Sequence, residues 1–288
     1  MRATGTSSGT SFNTAAQASR AASAAAARAG VTVTGLESIA DLRDASALLE
    51  AVWGRTPEGV PLPREMMRSL VHAGGLVSAA YGTDRLLGVA VLGRSVGAAC
   101  YSYLAATLPS SADRGTGFAL KQHQRAWALG EGLTTMRWTF DPLVSRNARF
   151  NLSKLGARAC IYEPAFYGRM SDALNGDDVA DRLVAEWQLD SARAVSASEG
   201  TAVPAEAPAE ADLTAVECGP DGGPAWQLST REAWCRVPTD VVSLRRTDPG
   251  LASAWREAVG AWLRPAFADG FVATSAGRTG WYHLEKEH

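Results

Sequence analysis

At 288 residues the chain can bury a sizeable core, and its length suggests about two domains. Apolar residues make up 46% of it, and 28 Lys plus Arg nearly balance 30 Asp plus Glu, a formal net charge of −2. That balance gives no electrostatic basis for a nucleic-acid or anionic-membrane partner. No apolar run approaches the roughly 20 residues that a membrane-spanning helix needs. The four cysteines (Cys100, Cys160, Cys218, Cys235) and four histidines (His72, His123, His283, His288) are scattered without metal-ligand spacing. Reduced thiols and no metal are therefore expected.

Residues 1–30 are rich in Ala, Ser and Thr, contain Arg2, Arg20 and Arg28, and hold no acid. That composition suits either a transit-type leader or a disordered tail that cannot bury enough surface to fold, and the tail is the reading adopted. Order is expected from Val31, with a strand over 31–34 and a helix over 37–53 that repeats Leu42, Ala45, Leu49 and Val52 at helical spacing. A break over 57–63 precedes a short helix over 64–73. Strands are expected over 76–80 and 86–92, joined by the turn Gly82-Thr83-Asp84, and over 99–108. A helix follows over 116–130, a strand over 133–140, a helix over 145–155 stopped by Gly156, and strands over 157–162 and 182–189. The order β-α-α-β-β-β-α-β-α-β-β predicts an α/β chain of mixed α+β type, with helices on both faces of a mixed sheet.

Residues 191–225 carry Ala, Glu, Pro and Ser with scarcely a large apolar side chain, and read as a linker or long surface loop. Beyond it, 226–288 is expected to form a small β-α-β extension. Its strands fall over 234–237, 241–244, 271–273 and 281–284, around a helix over 251–267. The expected domains are thus a tail at 1–30, a main domain at 31–190, the linker at 191–225 and the extension at 226–288. Trp127, Trp255 and Trp262 match core positions of their helices.

The chemistry concentrates in Arg114-Gly115-Thr116-Gly117-Phe118-Ala119, where a strand runs through a polar loop into a helix. The first turn of a helix offers unpaired N–H groups and the positive end of the macrodipole, and glycines let a ligand approach the backbone. The arrangement suits a pyrophosphate. The pattern Arg114-x-x-Gly117-x-Ala119 in this context resembles the phosphate-binding motif of the GNAT superfamily. That resemblance implies a mostly antiparallel sheet, an acyl-CoA co-substrate (acetyl-CoA or succinyl-CoA) and transfer of a small acyl group to an amine. It also implies that the strands flanking the loop splay to receive the pantetheine arm. Thr139-Phe140-Asp141-Pro142 and the residues through Ala157, with Tyr162, Tyr167-Gly168, Asn175 and Asp181-Arg182-Leu183, are similar to a GNAT subgroup related to amino-acid N-succinyltransferases.

On this resemblance Thr107, Leu108, Arg114, Gly115, Thr116, Gly117, Phe118, Ala119 and Asn147 are expected to bind the co-substrate, with a backbone N–H near Thr107 polarising the thioester. Asn151 and Tyr167 are the catalytic candidates, and Arg182 the residue for a carboxylate of the acceptor or a succinyl group. For Asn151 a helix-surface amide, for Tyr167 a packing aromatic and for Arg182 a salt bridge with Asp181 or Glu186 stay open. Asp141 reads as a strand end that caps the next turn, and His123 as a solvent-exposed helix residue. Two departures stand out. The loop over 109–114 is about two residues longer than the usual motif spacing, and the position of the common proton-donating tyrosine is Leu152. A CoA-binding module without catalysis is therefore the alternative. The expected partner is a small-molecule amine in the cytoplasm, without nucleic acid or membrane, and a homodimer is left open.

Overall fold

In the computed structural model, which describes residues 7–55, 59–111, 113–172, 176–203, 205 and 216–287, strand alternation sets the architecture. The chain forms α1 (Ser7–Ala29), β1 (Thr32–Gly35), α2 (Ile39–Trp53), α3 (Arg64–His72), β2 (Leu76–Tyr81), β3 (Leu86–Arg94) and β4 (Ala99–Thr107). There follow α4 (Thr116–Gly130), β5 (Thr135–Phe140), α5 (Ser145–Ala148), β6 (Arg158–Glu163), β7 (Arg169–Asp172), β8 (Gly176–Val179), β9 (Arg182–Gln188) and α6 (Ala192–Glu199). The last elements are β10 (Glu217–Cys218), β11 (Pro224–Leu228), β12 (Glu232–Arg236), α7 (Val241–Thr247), α8 (Pro249–Ala268), β13 (Phe271–Ala276) and β14 (Trp281–Lys286). Contacts divide the chain into a first unit, Met1–Trp138 with Gln188–Glu199, and a second, Thr139–Trp187 with Gly200–His288.

In the first unit β1, β2, β3 and β4 pair in that order, all antiparallel, and β5 joins β4 in parallel. Because successive strand residues point to opposite faces, Val77, Ala79, Val89 and Val91 meet Leu42, Leu49 and Met67 from α2 and α3. Ala80 and Ala90, on the opposite parity, cluster instead with Leu120 of α4. Helices thus cover both faces. Ser38 starts α2 by accepting the Asp41 N–H at 3.1 Å.

Residues 7–29 are helical, which corrects the expected disordered tail. Alanine is the best helix former, and Ala18, Ala21 and Ala25 fall on one buried stripe of α1. Such a stripe lets two helix backbones approach closely without any large apolar side chain, which is why hydrophobic patterning is silent here. Polar contacts tie α1 down: Gln17 donates to Ser198 Oγ at 3.1 Å, and its Oε1 accepts from Arg125 Nη1 at 3.0 Å. His123, expected at the surface, is half-buried on α4 with Nδ1 2.9 Å from Ser78 Oγ, and burial holds its pKa below the ordinary value.

The second unit contains a sheet in the order β9-β6-β13-β14-β12-β11-β10, antiparallel throughout. The C-terminal segment therefore joins β6 through the Ala273↔Ala159 pair. Trp255 and Trp262 of α8 are buried as expected, whereas Trp127 of α4 is half-buried under Arg94 at 5.8 Å. Val241 to Leu244, expected as a strand from its valines, opens α7 instead. The Asp240 carboxylate accepts the Ser243 N–H at 3.0 Å, and this cap outweighs β-propensity. The expected helix over 145–155 is α5 followed by a π-helical turn, Arg149–Lys154. The loop expected between 162 and 182 carries the β7–β8 hairpin. Part of the expected linker is α6. Pro57, Asn175 and residues 204 and 206–215 of the expected linker lie outside the described residues.

Candidate functional site

The site is built where β4 ends and α4 begins, wholly in the first unit. The parallel ladder of β4 and β5 comprises Ala99↔Thr135, Cys100↔Met136 and Tyr101↔Arg137. From Ser102 to Thr107 β4 continues without a β5 partner among the described residues, so the two strands part as expected for a slot between them. The long loop that follows is tightened by a 3-10 turn over Pro109–Ser111. Ser111 pins it: its hydroxyl reaches Leu108 O at 2.9 Å and Leu87 O at 3.2 Å. The extra residues are thus absorbed in a compact turn.

Two left-handed residues, Asp113 (φ 60°) and Gly115 (φ 90°), then swing the chain into α4. Glycine is the residue that adopts this conformation without steric cost. As N-cap, Gly115 carries no side chain to cap the helix, and its carbonyl takes the first α-helical bond, from Ala119 N at 2.9 Å. The N–H groups of Thr116, Gly117 and Phe118 have no intrahelical acceptor, and the helix dipole adds positive potential there. Thr116 is 1% exposed and its hydroxyl has no hydrogen-bond partner among the described residues. A Cβ on Gly117 would lie 3.9 Å from Thr107 Cγ2, an ordinary contact, so glycine is not required there for folding. Its effect is to leave the backbone open to a ligand.

The sequence-predicted residues Thr107, Leu108, Arg114, Gly115, Thr116, Gly117, Phe118 and Ala119 are brought together here. Leu108 offers no free amide, because its N–H is committed to Leu87 O at 2.9 Å. Ala119 is likewise buried with its N–H inside the helix. Arg114 is exposed and borders a cavity of about 330 Å³ that Ala29, Arg85, Ser110, Ser111 and Thr116 also line. Arg85 had no motif to mark it, since only folding of the β2–β3 turn carries it to this loop.

Lys121 was also missed. One turn into α4, its Nζ donates to Ser102 Oγ at 2.7 Å and stands 4.0 Å above the Trp138 ring. Ser102 also donates to Gln124 Oε1 at 3.0 Å. Ser102 and Trp138 are the first residues of β4 and β5 past their last ladder pair. Burial pulls the Lys121 amine down to about 7, and pushes the nearby Cys100 thiol up to about 11.

The remaining candidates belong to the second unit. Asn147 is exposed on α5, whereas Asn151 is buried in the π-helical turn rather than being the surface amide considered above. Leu152 is fully buried in the same turn. Tyr167 is 47% exposed, its phenol 3.4 Å from Thr139 Oγ1 and its ring edge-on to Phe166. The Arg182 guanidinium stands 5.3 Å over that ring, is buried, and donates to the main-chain oxygen of Asp181 at 2.8 Å. Tyr162, also buried, donates to the Asp181 carboxylate at 2.6 Å, and burial raises the pKa of its phenol. Asp141 caps the next turn as expected, accepting the Leu143 N–H at 2.9 Å. It also holds Arg245 at 2.5 Å and Arg256 at 3.5 Å.

An uncapped helix start after a strand that has parted from its parallel neighbour presents free amides and positive potential to an anionic group beside an open strand edge. Residues 13–141 match the family model described as an acetyltransferase (GNAT) domain. The matched span begins within α1. Among curated proteins none matches the sequence. Similar solved structures include the ribosomal-protein-S18-alanine N-acetyltransferase from Escherichia coli, 15% identical, covering 56% of this chain and 96% of that one at a TM-score of 0.46. A Bacillus subtilis acetyltransferase in complex with CoA is 16% identical, over 55% of this chain and 98% of that one, at a TM-score of 0.44. A GNAT family acetyltransferase from Elizabethkingia anophelis with acetyl-CoA bound is 14% identical, over 55% and 98%, at a TM-score of 0.42.

Proposed function

We propose that the protein moves a small acyl group, acetyl or succinyl, from acyl-CoA to the amine of a small molecule such as an amino acid. The observation that carries this reading is the helix start at Thr116: three uncapped amides, opened by left-handed Gly115, at the end of a strand that has left its parallel partner. The amides of Thr116, Gly117 and Phe118 and the Arg114 guanidinium hold the diphosphate. The β5-side edge of β4 past Tyr101 supplies backbone groups to the pantetheine amides, and a main-chain N–H near Thr107 polarises the thioester carbonyl. The amine attacks that carbonyl, its nitrogen loses a proton, and the CoA thiolate leaves. Asn151 and Tyr167 are assigned to the polar chemistry. Tyr167 supplies the leaving thiolate with a proton, and its partly exposed phenol supports that role. Arg182 remains the residue for a carboxylate on acceptor or acyl group.

The test is thiol release from acetyl-CoA and succinyl-CoA with a panel of amino acids. Gly117→Trp should abolish CoA binding, while Gly117→Ala, whose Cβ fits, should keep the fold and most of the affinity. Retained affinity in Gly117→Trp refutes the loop assignment. Full burial of Leu152 favours one second reading, a domain that binds CoA without catalysis. Tight CoA binding with no turnover on any amine would establish it.

A further inference from the structure

The cavity beside the phosphate loop is not explained by the diphosphate alone. Two guanidinium groups reach it from separate segments: Arg114 in the loop and Arg85 in the turn between β2 and β3. Arg85 is held in place, because its Nη2 donates to Ser110 Oγ at 2.9 Å and its carbonyl accepts from Gly82 N at 2.9 Å. Thr116 supplies the independent observation. It lines the cavity while 1% exposed, and its buried hydroxyl has no partner among the described residues. One acid, Asp84, lies among the lining residues, against the two arginines, so the wall keeps a net positive charge.

With Arg114 engaged at the diphosphate, the Arg85 guanidinium and the hydroxyls of Ser110 and Thr116 offer several donors to the oxygens of a further phosphate. CoA carries three phosphorus centres, two in its diphosphate and one in a ribose phosphate monoester. We infer that this cavity is a second phosphate subsite, in which Arg85, Ser110 and Thr116 hold the phosphate monoester of CoA beside the diphosphate bound at the α4 amides. The inference rests on the acyl-CoA reading above and deepens it: Arg85 becomes the residue that distinguishes CoA from its dephosphorylated form. The monoester is a dianion near neutral pH, so the arginine contact is charge-assisted and weakens with added salt.

The experiment measures dissociation constants of acetyl-CoA and acetyl-dephospho-CoA, which differ only in that monoester, for the native chain, Arg85→Ala, Arg85→Lys and Thr116→Val. Inorganic phosphate is added in parallel as a thermal-shift ligand. The native chain should prefer acetyl-CoA at least tenfold. Arg85→Ala should reduce that preference to below threefold, Arg85→Lys should restore part of it, and Thr116→Val should fall between. Equal weakening of both thioesters by Arg85→Ala, or no preference in the native chain, overturns the subsite. Inorganic phosphate that stabilises the protein through Arg85 while both thioesters bind alike assigns the cavity to free phosphate and also overturns it. Binding of neither thioester is a separate result: it removes the acyl-CoA reading, and the subsite falls with it.

Discussion

Lys121 shows what a single residue can cost where no carboxylate among the described residues pairs with it. Its Nζ has a serine hydroxyl and an aromatic face for company, so burial favours the neutral amine and draws the pKa to about 7. The unfolded chain keeps an ordinary lysine near 10.4. Between those values the unfolded state binds a proton that the folded state does not, so stability rises with pH from about 7 towards 10. Below about 7 both states are charged and the full penalty is present. Lys121→Met should flatten this slope in urea midpoints measured from pH 7 to 9.5, and should raise the midpoint most at pH 7. A parallel slope in the variant would show that Lys121 is not its source. Leu152 gives a second test at this scale. With its side chain fully enclosed, Leu152→Tyr should lower stability by roughly 1–3 kcal/mol through overpacking and give no gain in turnover. A rise in kcat would mean that a phenol there reaches the reacting atoms after all.

Among the elements, α1 depends on contacts that no local pattern announces. Arg125 of α4 is fully buried, donating to Leu189 O at 2.7 Å and to Gln17 Oε1 at 3.0 Å. Arg125→Met should cost roughly 2–4 kcal/mol, because it leaves those buried acceptors without a charged donor. Gln17→Ala should cost about 1 kcal/mol. Chemical denaturation checks both, and a neutral Arg125→Met would show α1 and α6 to be held by apolar packing alone. The remaining elements follow their residues closely where polar caps and alternation agree. The strands 76–81 and 86–94 and the helix 116–130 were legible because apolar period, turn and glycine coincide there. The π-helical turn at Arg149–Lys154 was not, since an extra residue per turn leaves the same apolar periodicity as an ordinary helix over so short a run.

On the largest scale, the division into two units places the glycine-rich loop before α4 in one and the buried ion network of Asp141, Arg245 and Arg256 in the other. Asp141 also caps its own turn, so Asp141→Ala removes both a capping acceptor and the carboxylate that faces two buried arginines. A loss of about 3–5 kcal/mol is expected, larger than for a surface acid. Differential scanning calorimetry and CoA titration on the same variant test this. The transition of the second unit should move, and CoA affinity should follow only as far as the folded fraction falls. An unchanged melting profile would show that the network contributes nothing net.

Legible in the residues alone were a helix that opens on a glycine-rich turn after a strand, the alternation of α and β elements, and the run Arg114 to Ala119 at that helix start. Those features are local: backbone conformation, capping and apolar period lie within a few residues of one another. Tertiary packing settled that Ala18, Ala21 and Ala25 bury a helix and that the C-terminal strands extend the sheet from β6. It also decided which residues besides the motif reach the helix start. Arg85 lies 29 positions before Arg114, and chain folding alone brings its charge to the same cavity. Long-range packing of this kind leaves no trace in residue spacing, because the free energy that fixes it comes from surfaces that meet only after the strands have paired.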